Sequence, residues 1–180
     1  MTVTTTNLIQ GPATLYHGAF GVTEPADIDT APGVGWTDCG ATDGGIMVSV
    51  NDTYSALIVD QVPMEVERRR TLRVVTLKTV LAEATLENLA RALANTAPSS
   101  GLFELDDDLD AFNPDYSALL LDGIAPAGLR RRFIVRKCLP TEAVETAYKK
   151  DGKAMFPVTW HGHWVSSAIK PFDIDDEQPE

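Results

Sequence analysis

Two hydrophobic periods meet in the middle of the chain. Residues 71–81, TLRVVTLKTVL, mass β-branched residues of mixed polarity and predict a strand. The next stretch, LAEATLENLARALAN, changes period: Leu86, Leu89, Ala90 and Leu93 fall at i, i+3, i+4 and i+7, while Glu87, Asn88, Arg91 and Ala92 take the other face. A helix is predicted over about 85–95, with Thr85 as N-cap, Glu87 in the first turn where the helix dipole favours an acid, and Asn95 as a left-handed C-cap. A helix of about eleven residues is marginal alone in water. The stripe Leu86, Leu89 and Leu93 is therefore expected to cover one side of a larger core.

That core reads as strands. IMVSV and YSALIV flank Asn51-Asp52-Thr53, the pattern of a hairpin. YSALLLDG and LRRRFIVRKCL predict two more strands around the turn from Gly123 to Gly128, and in the second of them Phe133 and Val135 alternate with Arg132, Ile134 and Arg136, giving a partly basic face. EAVETAYKKDG carries a weak helical period through Val144 and Tyr148. FPVTWHGHWVSSAIKPFDI supplies one or two closing strands and runs into the acidic tail DIDDEQPE. Residues 10–45 are rich in Gly, Pro, Asp and Thr, with one short strand around Thr14 to His17. Loops of that length usually have a task, so this stretch is expected to be an arm that orders on a neighbour. The class predicted is mainly β: an antiparallel β-sandwich or barrel with one flanking α-helix and long loops, as a single domain over residues 1–180 with an acidic tail at about 173–180.

Composition narrows the function. A chain of 180 residues with 44% hydrophobic residues can bury a real core. No run approaches the ~18 apolar residues of a membrane span, and MTVTTTNLIQ lacks the basic flank of a secretory signal, so a soluble, unexported protein is expected. Cys39 and Cys138 stand in no metal or redox spacing and are expected to be free thiols. The net charge is −11, and residues 1–67 contain no Lys or Arg at all before Arg68, Arg69 and Arg70 arrive together. Tight binding to a phosphate backbone needs the opposite sign.

Candidate chemistry is sparse. His161 and His163 could share a metal from one strand face, but no third ligand stands near and the flanking Trp160 and Trp164 suggest packing. Asp106, Asp108 and Asp110 reproduce the first positions of a calcium loop, which then fails at Ala111 and Ser117. Asn51-Asp52-Thr53 matches a glycosylation sequon and is read as turn chemistry. No nucleophile elbow, phosphate loop or zinc-protease motif occurs, and the glycines of GVGWTDCGATDGG precede no helix. No catalytic, cofactor or metal site is expected.

In order along the chain, ATLYHGAFG, the Pro25-Ala26-Asp27 turn, GWTDCGATDGG with Trp36 and Gly40, the passage LKTVLAEATLENLARAL and the closing PFDI together resemble the major tail tube protein of long-tailed bacteriophages. The resemblance implies a β-sandwich with a flanking helix, hexameric rings that stack into the tube through which DNA leaves the virion, and assembly in the host cytoplasm. It implies as partners other copies of the chain, the tape-measure, tail terminator and distal tail proteins, and double-stranded DNA in transit without specific binding, with no membrane contact. Asp52 and Asp60 are then candidates to face the lumen, and Arg68, Arg69, Arg70, Arg130, Arg131 and Arg132 to meet acids of neighbouring copies. Two other readings stay open: another β-rich tail component, such as a terminator or a secretion-type tube, and a small-ligand-binding β-barrel.

Overall fold

A computed structural model of the chain describes residues 3–105 and 112–178. It is an antiparallel β-sandwich with one flanking helix. The strands are β1 (Thr14–Ala19), β2 (Thr37–Asp38), β3 (Thr42–Leu57), β4 (Glu67–Leu81), β5 (Ser117–Ile124), β6 (Arg130–Pro140), β7 (Phe156–Gly162) and β8 (Phe172–Asp176), with α1 (Leu86–Leu93) between β4 and β5. Their hydrogen-bonded order is β2-β1-β5-β6-β7-β4-β3, and β8 joins as a side branch on β6.

The centre of the sheet is buried on both faces. Successive residues of β5 point to opposite sides, and Leu119 and Leu120, each at 0% exposure, enter different clusters. Leu119 joins Leu15, Leu77, Leu81, Phe156 and Trp160 in the main core. Leu120 meets Trp36 and Ala118 on the opposite side. This explains why β5 reads as an unbroken apolar run instead of an alternation.

The region 10–45 belongs to the protomer itself, which corrects the expectation of an arm waiting for a neighbour. It supplies β1, β2 and the start of β3, and it buries Leu15, Ile28, Trp36 and Cys39. Trp36 Nε1 donates to the carbonyl of Thr23 at 2.9 Å. The segment is further held by Arg132, 4% exposed: its Nη1 donates to the carbonyls of Asp27 and Thr30 at 2.8 and 3.0 Å, while Nε and Nη2 bind Asp122 on β5 at 2.6 and 2.9 Å. A loop that answers a buried guanidinium has somewhere to order without a second chain.

The helix also sits differently from its leucine pattern. Thr85 caps it as expected, accepting from the Asn88 amide at 3.2 Å, but the left-handed C-cap is Ala94, not Asn95. Leu86 and Leu93 are each 38% exposed, and the buried face consists of Asn88, Ala90 and Ala92 with Leu89 partly buried. Asn88 sets this rotation. Its Nδ2 donates to the carbonyls of Cys39 and Glu83, both at 3.0 Å, and its Oδ1 accepts from Arg91 at 2.7 Å. The small alanines let the helix approach closely behind that amide. Beside it, Gly40 turns at φ +77°, where a Cβ would collide with the Glu83 carboxylate that accepts from the Ala41 amide at 2.9 Å.

Two further expectations fail locally. Asn51-Asp52-Thr53 is not a turn: β3 runs straight through it, because Asp52 lies opposite Arg73 and takes its Nε and Nη2 at 2.6 Å each. The reversal falls at residues 58–66, around Asp60 and Pro63. Residues 142–152 form no helix: Val144 packs on the core, Tyr148 is 88% exposed, and Lys149 bridges to Gly152.

Replacing Asn88 by Ala strands two loop carbonyls and an arginine, and should cost about 1–3 kcal/mol in denaturant unfolding. Leu86→Ala should cost about 1 kcal/mol or less. Equal losses for the two would place the leucine stripe back in the core.

Candidate assembly interface

β3 and β4 are long, 16 and 15 residues, and only their lower halves touch the body. β4 pairs with β7 from Thr76 to Leu81, so from Glu67 to Val75 its one described strand neighbour is β3. Every residue from 49 to 73 is exposed except Asp52. At roughly 3.3 Å per residue this two-stranded ribbon stands about 25 Å off the sandwich.

Its side chains are the wrong ones for water. Tyr54, Leu57, Ile58, Val62, Met64 and Leu72 are all exposed, with Ile58 at 70% and Met64 at 74%. An isolated two-stranded hairpin is marginal at best, and large contiguous exposed apolar patches are uncommon on monomeric proteins. Among the described residues β3 has a strand neighbour on one edge and none on the other.

Cross-strand ion pairs stiffen the ribbon from inside. Asp52 holds Arg73 and, at 3.2 Å, Arg70, and accepts from the Tyr54 hydroxyl at 3.2 Å. The hydrogen bond from Arg73 is the main cause that brings its carboxyl down to about 2, against desolvation and with help from Tyr54 and Arg70. Arg68 grips Glu65 through two nitrogens at 2.6 and 3.0 Å.

The candidate charged residues thus divide. Asp60 lies exposed at the ribbon tip and Arg69 is exposed on β4. Asp52 has its charge answered by two arginines of its own chain, so it is not the bare acid expected of a lumen wall. In the second arginine group, Arg131 binds Asp176 at 2.5 Å and Arg132 binds Asp122, so these two are answered within the chain, while Arg130 is exposed and its backbone amide alone donates to Glu177, at 2.8 Å. Sequence reasoning missed the apolar ribbon tip. The signal was there in Leu57, Ile58 and Val59 followed by Val62, Met64 and Val66, too many apolar residues around one reversal to be solvated loop.

A cleft of about 650 Å³ lies between α1 and the start of β5, with His17, Arg91, Tyr116 and Ser117 in its lining. His17 Nε2 and Ser117 Oγ are 2.8 Å apart. Burial foremost, and then the Arg91 charge, lowers the imidazole to about 4. A cation beside the ring is the reverse of the carboxylate that orients a catalytic histidine. Among the described residues no group of three or more His, Cys, Asp or Glu is placed to hold a metal. His163 instead meets the Tyr116 ring edge-on at 5.4 Å. Asp106, Asp108 and Asp110 lie outside the described residues. Among the described residues no helix is long and apolar enough to cross a membrane.

The neutral His17 makes stability depend on pH. Its folded value of about 4 lies below the ordinary 6.5, so the unfolded chain binds the extra proton first as pH falls. The stabilisation is complete above about 6.5 and is lost between there and about 4, up to about 3 kcal/mol. Urea unfolding at pH 4.5 and 7 should show this slope, and His17→Asn should flatten it. No protein-family model matches the chain, and no curated protein matches it with significance.

Proposed function

We propose that the chain is a self-assembling structural subunit whose copies close into rings and stack into a tube, the tail tube of a long-tailed phage through which double-stranded DNA is ejected. The observation that carries this reading is the β3–β4 ribbon, about 25 Å long, whose exposed apolar side chains no described residue of the protomer covers. A second copy is the partner it suits, since a head-to-tail contact between a ribbon and a different face of the next subunit repeats into rings or stacks. The tail-tube-like passage LKTVLAEATLENLARAL falls on β4 and α1, and GWTDCGATDGG on the loop and strand packed beside that helix.

Charge supports the conduit. A net −11 with arginines engaged by the chain's own acids leaves a surface that repels a duplex instead of holding it. Rings at the ends of such a tube would meet the terminator and distal tail proteins, and the tape-measure would fill the lumen until ejection.

Negative-stain microscopy of concentrated protein should show rings and tubes. Ile58→Asp combined with Met64→Asp changes two exposed positions, so it should leave the melting temperature within a few degrees and abolish those assemblies. Tubes formed by the double variant would rule out the ribbon tip as the contact. A wild-type protein that stays monomeric at every concentration would overturn the reading and favour a ligand-binding role for the 650 Å³ cleft.

A further inference from the structure

The C-terminal strand β8 stands apart from the rest of the sheet. β6 offers one long edge, which β7 occupies at Cys138–Pro140 and β8 at Arg131–Val135, and the main strand path continues through β7 alone. β8 is a five-residue strap on that edge.

Charge does much of the holding. Arg131 donates to Asp176 through Nε and Nη2 at 2.5 Å each, Arg136 reaches Asp173 at 2.6 Å, and Glu177 exchanges hydrogen bonds with the Arg130 backbone. The side chains of Asp173 and Asp176 are 49% and 36% exposed, so these pairs are screened by salt and individually weak. The apolar anchor is Phe172 against Phe133, with ring centroids 6.3 Å apart, while Ile174 is 54% exposed. A short strand held this way sits at the low end of local stability.

The connection is tied to β6 at its two ends, where the His163 amide donates to the Lys137 carbonyl at 2.8 Å and Arg136 donates to the carbonyls of Lys170 and Pro171 at 2.7 and 3.0 Å. The second pair must be given up with the strap and re-formed on the acceptor. Residues 163–171 contain exposed Trp164 and Ile169, form no regular element and can span up to about 30 Å when extended. Lifting the strap uncovers the backbone edge of β6 and widens a groove that measures about 380 Å³ with the strap in place, where Phe172 and Ile174 form one wall and Val48, Leu121 and Phe133 are among the others. The segment with the right sequence for that acceptor is β8 of another copy.

We infer that β8 is exchanged between neighbouring protomers, leaving its own β6 and completing the β6 edge and groove of the next copy. Each acceptor then regains the same hydrogen bonds, ion pairs and Phe172 contact, so the exchange itself costs little, and every subunit becomes tethered to its neighbour. The inference rests on the self-assembly proposed above and adds to it a defined second contact, separate from the ribbon.

Two single variants, Arg131→Cys and Asp176→Cys, test it when mixed, because these residues are register partners and in the mixture a disulfide between them can form only across chains. Cys39 and Cys138 are buried and do not compete. After co-assembly and oxidation, a non-reducing gel should show linked dimers in the assembled fraction and none in the monomer fraction. A second mixed pair, Ile134→Cys with Asp173→Cys, reads another register position of the same strand pair, so loss of the Arg131–Asp176 ion pair cannot decide the result alone. Tubes that yield no cross-chain dimer with either pair would overturn the exchange while leaving the tube reading in place. An unmutated protein that never assembles would remove both.

Discussion

A guanidinium taken almost wholly out of water has to have its hydrogens answered, and the fold is arranged around answering those of Arg132. Breaking such a pair by removing one partner typically costs about 3–5 kcal/mol, because the other charge stays buried. Its carboxylate comes from Asp122, directly across the β5–β6 ladder, and its remaining acceptors are loop carbonyls a hundred residues earlier in the chain. The same side chain therefore fixes the pairing of two central strands and pins the Gly/Pro-rich loop over the second face of the sheet. With that loop in place Trp36 has a pocket, and Leu120 is dry. β6 then presents its far edge, along which β7 and β8 are laid end to end.

The molecule is unevenly stabilised as a result. Around β5 the sheet is covered on both faces, whereas the ribbon beyond Val75 has its own cross-strand contacts and water. Asp52 with Arg70 and Arg73 gives that ribbon stiffness and register, while its apolar residues stay exposed among the described residues. The self-assembly proposed above rests on this stiff element, which carries its hydrophobic residues away from the body.

The arginines illustrate how neighbouring signals in sequence separate in space. Arg130 to Arg132 look like one basic patch, yet successive residues of a strand face opposite sides. Arg132 turns inward to Asp122, while Arg131 turns outward to the C-terminal strap. An acidic tail that reads as a solvated end is instead a strand whose acids match the strand it lies on.

The sequence by itself determined the class and most of the elements: the antiparallel sandwich, the strand-to-helix passage at residues 71–95, the Thr85 cap, the β5–β6 pair and the closing strands. Those features follow from hydrophobic period, β-branching and capping chemistry, all of which act within about ten residues. Only the tertiary structure decided which face of the helix is inside, because Asn88 is chosen by carbonyls of Cys39 and Glu83 that no period encodes. It likewise decided that Asp52 lies mid-strand, since Arg73 stands opposite it, and that residues 10–45 are packed, since Arg132 is there to receive them. In each case a buried or cross-strand polar group required a partner from far along the chain, and a one-dimensional pattern carries no information about such partners until the strands have paired.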